Sequence, residues 1–363
     1  MPSLRLQGLA FLLLMGWGVW QGIAALSSDA ARSRLAPVMT GTDFLAGRTA
    51  AAINHVMAHA LPADAWLRAA GGSIRYVLFR SGGPQVRLGC DGWLFLTEEL
   101  RPWDGAAEAM AARTAALARI EGRLREQGVA LAVVLVPDKA RVQSASLCGA
   151  PLSEQAAARH DAAFSALRAA GLARVVPLLP ALTSEPALYY RTDTHWNQRG
   201  AALAASAVVA ALGDVDLARD KAFRTEAAGE ETDGPGDLLR LMGLDRAGWP
   251  RPAPDRERRE TTTEQDGSEA GGGLLDDTPA PEVALVGSSY SLNANFHGRL
   301  QEAIQGVVFN GAKAGGGFAG AAREYFTGPT FAESPPRLVI WEIPERVLVQ
   351  PIEREEREFL ARW

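Results

Sequence analysis

From Val129 to Val136 the chain reads Val-Ala-Leu-Ala-Val-Val-Leu-Val, an unbroken apolar run too short to cross a bilayer. A strand with one wet face would alternate apolar and polar residues. This one does not, so it must be covered on both faces, the condition of a strand inside a parallel sheet. The surrounding pattern agrees. Gly105 to Gly128 has apolar residues at helical spacing with a glycine stop, and Ser153 to Ala170 reads as a helix. Strand Val175 to Leu179 and helix Asn197 to Leu212 follow, with Asn197 placed as its cap. Strands Val283 to Val286, Val307 to Phe309 and Leu338 to Glu342 then alternate with helices Asn293 to Gln305 and Phe318 to Phe326. Strand and helix in turn, with no internal repeat, predict an α/β fold: a mainly parallel sheet between helical layers.

The segment from Leu6 to Leu26 is apolar apart from Gln7 and Gln21, and at 1.5 Å per residue it can span a hydrocarbon core of about 30 Å. It has no polar face, which argues against a buried amphipathic helix. Ala24 and Ala25 would suit a cleavage site, but the length favours an uncleaved signal anchor. Either way the rest of the chain is expected on the far side of the membrane, in the periplasm, and an uncleaved segment over residues 1–30 would attach it to the inner membrane. A net charge of −5 gives no footprint for nucleic acid, so a ligand is to be sought in a cleft. In an oxidising compartment the two cysteines, Cys90 and Cys148, can bond to each other; two buried thiols are the alternative. His55 and His59 sit one helical turn apart but lack further ligands, which leaves an ordinary helix surface.

Residues 31–84 form an alanine-rich helical lead-in, and residues 85–350 hold the catalytic domain. Order is expected to break down between Gly213 and Pro281, with a flexible insertion over about 250–281 that includes Glu269-Ala270-Gly271-Gly272-Gly273. The end of the chain, residues 351–363, is read as a solvated helix with surface ion pairs.

Two short segments carry chemistry. In Asp193-Thr194-His195-Trp196 extended backbone puts Asp193 and His195 on the same side, so the carboxylate can fix the imidazole tautomer. Gly287-Ser288-Ser289-Tyr290 follows a buried strand and precedes a helix, where α/β folds expose a nucleophile. Ser289 is the expected nucleophile, with Ser288 its neighbour and competitor, and the backbone at Gly287 and Ser289 would face a developing oxyanion. A metal at Asp193 and His195 lacks a cluster of further ligands, and acyl transfer through a serine ester needs neither metal nor cofactor.

Several segments together are diagnostic. Gly89-Cys90-Asp91-Gly92-Trp93-Leu94-Phe95, Val136-Pro137-Asp138-Lys139, Asp193 to Ala201, Gly236-Asp237-Leu238, Val286 to Ser291 and Ile340 to Arg346 occur in an order that resembles the AlgJ/AlgX family of alginate O-acetyltransferases. The resemblance implies an SGNH-hydrolase-like three-layer fold with circularly permuted motif order, since Asp and His precede Ser. It implies Ser289 as nucleophile, His195 as general base and Asp193 as orienting carboxylate. Asn310, at a strand end, takes the place of an oxyanion-hole asparagine. Tyr290, Trp196, Arg323 and Tyr325 are candidates to touch the sugar or acetyl donor, and Trp93 and Trp341 are further aromatic candidates. Cys90 and Ser288 depart from residues common in the family, lysine and threonine, without removing a triad member. The chain ends soon after Arg346, a layout more similar to AlgJ than to AlgX with its C-terminal carbohydrate module.

The function so implied is a periplasmic O-acetyltransferase that moves acetyl groups to hydroxyls of an exopolysaccharide, alginate or similar, through an acetyl-serine. Its expected partners are that polymer and a membrane-bound acyltransferase that delivers the acetyl group. An acetyl esterase on the same triad and a non-catalytic polysaccharide assembly protein are the alternatives.

Overall fold

The computed structural model describes residues 2–246, 248, 250–265 and 280–363. They divide into two compact units: Met1–Arg80 with Met242–Arg251, and Ser81–Leu241 with Pro252–Trp363.

The second unit is built on a five-stranded sheet. Its strands are β3 (Ala130–Val136), β4 (Val175–Pro177), β7 (Val283–Val286), β8 (Val308–Asn310) and β9 (Leu338–Pro344), ordered β4-β3-β9-β7-β8. Two small antiparallel ribbons complete the strands among the described residues: β1 (Val86–Leu88) with β2 (Leu94–Leu96), and β5 (Phe223–Asp233) with β6 (Arg256–Glu264). Every pairing within the five-stranded sheet is parallel, with Ala130 to Val136 aligned on Leu338 to Pro344 and Val283 to Val286 on Leu338 to Trp341.

The two-sided burial expected of β3 is met. Ala132, Val134 and Val136 join one core with Leu285, Ile340, Trp196 and Phe296, while Leu131, Val133 and Leu135 join the other with Val286, Trp341, Ile120 and Phe326. Each fully buried Val, Leu or Ile stabilises the fold by roughly 1.5–3 kcal/mol. Helices Ala106–Glu126 and Glu154–Ala169 cover one part of the sheet, and Gln198–Ala211 and Phe296–Ile304 another. Asn197 caps Gln198–Ala211 by accepting the Gly200 N–H at 2.9 Å, a contact worth about 1 kcal/mol.

Two expectations change. Residues expected in a disordered stretch instead form the β5–β6 ribbon, both of whose faces are largely exposed. Such a ribbon has no apolar alternation to announce it; it is held by polar contacts. Gln198 brackets β6, donating to the Arg258 carbonyl at 2.8 Å and accepting the Glu260 N–H at 2.5 Å, while Asn295 donates to Thr262 at 2.9 Å. Glu269 to Gly273, in the expected insertion, lie outside the described residues. The C-terminal helix Arg354–Arg362 is not merely solvated: Phe359 and Leu360 are buried, and Glu356 takes both sides of the buried Arg113 guanidinium at 2.6 and 2.9 Å.

Cys90, in the turn between β1 and β2, is disulfide-bonded to Cys148 with Cα atoms 5.6 Å apart. The first unit is helical, with helices Pro2–Leu26, Asp29–Leu35, Gly41–Leu45, Arg48–His59 and Asp64–Phe79. Within Pro2–Leu26, Arg5–Leu26 is long and apolar enough to cross a membrane, with a mean hydropathy of 1.7.

Candidate active site

Strand β7 ends at Val286 and the chain turns at once into a short 3₁₀ helix, Ser289–Ser291. Gly287 permits the turn because a Cβ there would stand 2.7 Å from Glu342 Oε2 on the adjacent strand. Glu342 is buried and takes the neighbouring donors: the Ser288 N–H at 2.7 Å, the Ser288 hydroxyl at 3.0 Å and the Ser291 hydroxyl at 3.0 Å. Burial raises its carboxyl above the ordinary glutamate range despite those donors. Ser288 is thereby turned down onto Glu342, and Ser289 is left half-buried with its hydroxyl toward the histidine.

The histidine loop crosses above this turn. His195 Nε2 lies 2.7 Å from Ser289 Oγ, and Nδ1 lies 2.6 Å from Asp193 Oδ1. Asp193 is fully engaged: Oδ1 also accepts the His195 backbone N–H at 3.0 Å and Oδ2 accepts the Asp237 N–H at 2.7 Å. Burial alone would raise the Asp193 carboxyl, but the histidine and these N–H donors hold it at about 2. Asp237 returns the contact by accepting the Thr194 N–H at 2.8 Å. Burial and then the Asp193 charge raise its own carboxyl. Ligand-type atoms of Asp193, His195 and Asp237 come within 4.8 Å of one another. The oxygens of Asp193 are already occupied by N–H donors, which suits a hydrogen-bonded orienter.

Lys139 fixes the loop from beneath. Its buried ammonium donates to the carbonyls of Leu94 at 2.6 Å, Arg191 at 3.0 Å and Asp193 at 2.9 Å, and burial lowers it to about 8. Next to it Asp138 pairs with Arg159 at 2.7 Å and Arg346 at 3.2 Å, and Glu345 accepts the Asp138 N–H at 2.9 Å and pairs with Arg141. Sequence reasoning gave no role to Asp237, Lys139, Glu342 or Glu345, although each stood inside a segment it had singled out. For Glu342 the signal was a charged residue in an otherwise apolar strand.

The four residues expected to touch substrate lie in different settings. Tyr290 is fully buried, donates to the Thr194 carbonyl at 3.0 Å and meets the His195 ring edge-on at 4.7 Å. Trp196 is equally buried, 4.9 Å from Tyr290 and from Phe296. Both pack against the histidine loop. Arg323 pairs with Glu355 at 2.6 Å beside a glycine-rich loop, and Tyr325 packs in the opposite core against Phe309. No contact joins either to the triad among the described residues. Trp93 and Trp341 are also buried.

Asn310 is level with Leu285 in the sheet and spends its side-chain oxygen on the Ala312 N–H at 3.1 Å, a turn-forming contact, and no contact joins it to Ser289. The Ser289 N–H has no partner among the described residues, which is what an oxyanion donor requires.

Asn293 donates its side-chain N–H to the Ser289 carbonyl at 2.8 Å and lines a polar groove of about 400 Å³. Tyr190, Gln198, Glu257, Arg259, Glu260 and Asn295 also line it. Glu257 is taken by the Tyr190 hydroxyl at 2.5 Å and Glu260 by Arg299 at 2.6 Å. Arg259 has no acidic partner among the described residues.

Residues 86–345 match the family described as SGNH hydrolase-like domain, acetyltransferase AlgX. A probable alginate O-acetylase AlgJ of Pseudomonas putida is 36% identical over 79% of this chain and 76% of its own length. The one of Pseudomonas aeruginosa is 33% identical over 80% and 77%. The solved O-acetyltransferase domain of Pseudomonas putida AlgJ superposes with a TM-score of 0.68 at 31% identity, covering 77% of this chain and 98% of that one. A permuted Asp-x-His before Ser, a parallel sheet that presents the serine at a strand end, and these matches have one reading: the chain belongs to the SGNH hydrolase-like AlgX/AlgJ acetyltransferase family.

Proposed function

We propose that this protein transfers acetyl groups to hydroxyls of an exopolysaccharide, alginate or a similar polyuronate, through an acetyl ester on Ser289. The observation that carries the roles is the unbroken line Asp193–His195–Ser289, with contacts of 2.6 and 2.7 Å, ending on a serine open to one side. His195 Nε2 takes the hydroxyl proton as Ser289 Oγ attacks the acetyl carbonyl. The Ser289 N–H stabilises the oxyanion, and the protonated imidazole gives its proton to the departing donor group. A sugar hydroxyl then loses its proton to His195 and attacks the acetyl-serine; Ser289 leaves and recovers the proton.

Water competes for the same ester, so a transferase must hold its acceptor. The groove beside Asn293 serves this purpose, because orientation supplies several kcal/mol against bulk water. Its uncommitted charge, Arg259, suits the carboxylate of a uronate. The acetyl donor is presented by a membrane-bound acyltransferase, and Pro2–Leu26 anchors the enzyme to the periplasmic side of the inner membrane.

Intact-mass measurement after incubation with an activated acetyl ester tests the scheme. Wild type is expected to gain one acetyl group and pass it to oligouronate, and Ser289→Ala to do neither. Acetate release without acetylated glycan would instead assign an esterase. Equal acetylation of glycan by Ser289→Ala would remove Ser289 from its role.

A further inference from the structure

Helix Asp64–Phe79 has two unlike faces. Ala69, Gly72 and Ser73 are buried, and the segment after Met242 lies against them: a Cβ on Gly72 would be 3.3 Å from Leu244 Cδ2. At 100° per residue Trp66, Leu67, Ile74, Val77 and Leu78 share the opposite side. All are exposed, Trp66 at 60% and Leu78 at 70%. A contiguous apolar stripe of this kind on an otherwise folded unit marks an interaction surface. Arg68, paired with Asp64, and Arg75, which donates to the Met242 carbonyl at 3.4 Å, lie beside it.

The start of this helix is tied to the apolar N-terminal helix. The Ala63 N–H donates to Gln21 Oε1 at 2.9 Å, and Gln21 is buried while Trp20 beside it is 58% exposed. Gln21 precedes the helix end at Leu26 by little more than a turn, so it sits within about 8 Å of that end. Trp17 and Trp20 occupy the same turns, and tryptophan concentrates at headgroup depth. Trp66, which begins the stripe, follows Ala63 by three residues.

We propose that helix Asp64–Phe79 is a second membrane element. It lies along the surface of the bilayer that Pro2–Leu26 crosses, with its stripe at the acyl–headgroup boundary. The proposal rests on the reading that Pro2–Leu26 spans. Lipid is favoured over a protein partner because the stripe begins three residues after Ala63, whose N–H is tied to the apolar N-terminal helix close to that helix's end.

The test uses the full chain in vesicles of phosphatidylethanolamine and phosphatidylglycerol. Nitroxide labels are placed singly at Ile74→Cys, Val77→Cys and, in the spanning helix, Leu13→Cys; the native cysteines are bonded to each other. Collision with oxygen relative to a water-soluble nickel chelate is expected to be several-fold higher at 74 and 77 than for a label in buffer. Adding Leu67→Asp and Leu78→Asp should return both to buffer values while the label at 13 stays in lipid. Buffer-like labels at 74 and 77 with a lipid-embedded label at 13 would overturn the proposal, and nickel protection gained only in native membranes would assign the stripe to a protein. A buffer-like label at 13 would instead overturn the spanning reading itself.

Discussion

Asp193 is a buried acid whose oxygens each accept at least one N–H, and its lowered carboxyl is the consequence. Its folded pKa of about 2 lies below the ordinary aspartate value of about 3.9, so it contributes stability that is fully present above the ordinary value and lost as pH falls through the folded one. The acid limb of activity should therefore not follow Asp193, and its carboxyl resonance should titrate near pH 2 in an NMR series; a midpoint above 4 would contradict the hydrogen-bond pattern. Asp193→Asn keeps the shape but offers the wrong tautomer to His195, and should reduce kcat by on the order of 10⁴. Arg259→Ala should raise KM for oligouronate about tenfold, through a lost charge-assisted contact, with kcat little changed. An equal effect on a neutral oligosaccharide would detach Arg259 from carboxylate recognition. Asp193, His195 and Ser289 were legible because their chemistry is written in residue type and spacing. The burial of Tyr290 and Trp196 was not legible, because an aromatic beside a catalytic residue looks the same in sequence whether it walls the cleft or lies under it. Only burial separates the two.

Among the elements, those driven by apolar burial were readable: β3, β7 and β9 fall within a residue or two of their expected bounds. The β5–β6 ribbon was not, since its attachment depends on Gln198, Asn295 and Arg299, residues unremarkable in sequence. The lysine clamp was equally hidden, because a lysine after a strand looks solvated until three carbonyls are found around it. Lys139→Met keeps the volume and strips those carbonyls of their donor, at about 1–3 kcal/mol for each one left unsatisfied. Its destabilisation should exceed that of an exposed Lys→Met change in denaturant titration, and parity would show that water replaces the ammonium. The Cys90–Cys148 bond joins residues 58 apart, and chain-entropy arguments give about 4 kcal/mol for a loop of that size. Cys148→Ser should lower the denaturant midpoint accordingly, an effect reproduced by reductant in the wild type.

At the scale of the molecule, the second unit carries buried acids at the edge of its site. Burial, then repulsion from Asp138, raises Glu99 to about 7 and Glu345 to about 8. Both folded values lie above the ordinary value of about 4.3, so their contribution is fully present below that value and is lost as pH rises through the folded ones. Thermal unfolding should thus shift to lower temperature between about pH 5 and pH 8, and Glu99→Gln should flatten the slope. A midpoint that climbs across this window would refute the assignment. The parallel sheet and its order of motifs were visible from the first apolar run, whereas the division into two units was not, because residues 242–251 return to the first unit from far along the chain. Finally, orienter and base occupy one short loop, Asp193 to His195, while the nucleophile sits on the 3₁₀ turn that follows strand β7. The two halves of the relay are therefore joined by packing and not by chain connectivity. Since Trp196 of the same loop lies in the core with Leu285 and Ile340, heat should take activity and fold together, with no silent folded state between them.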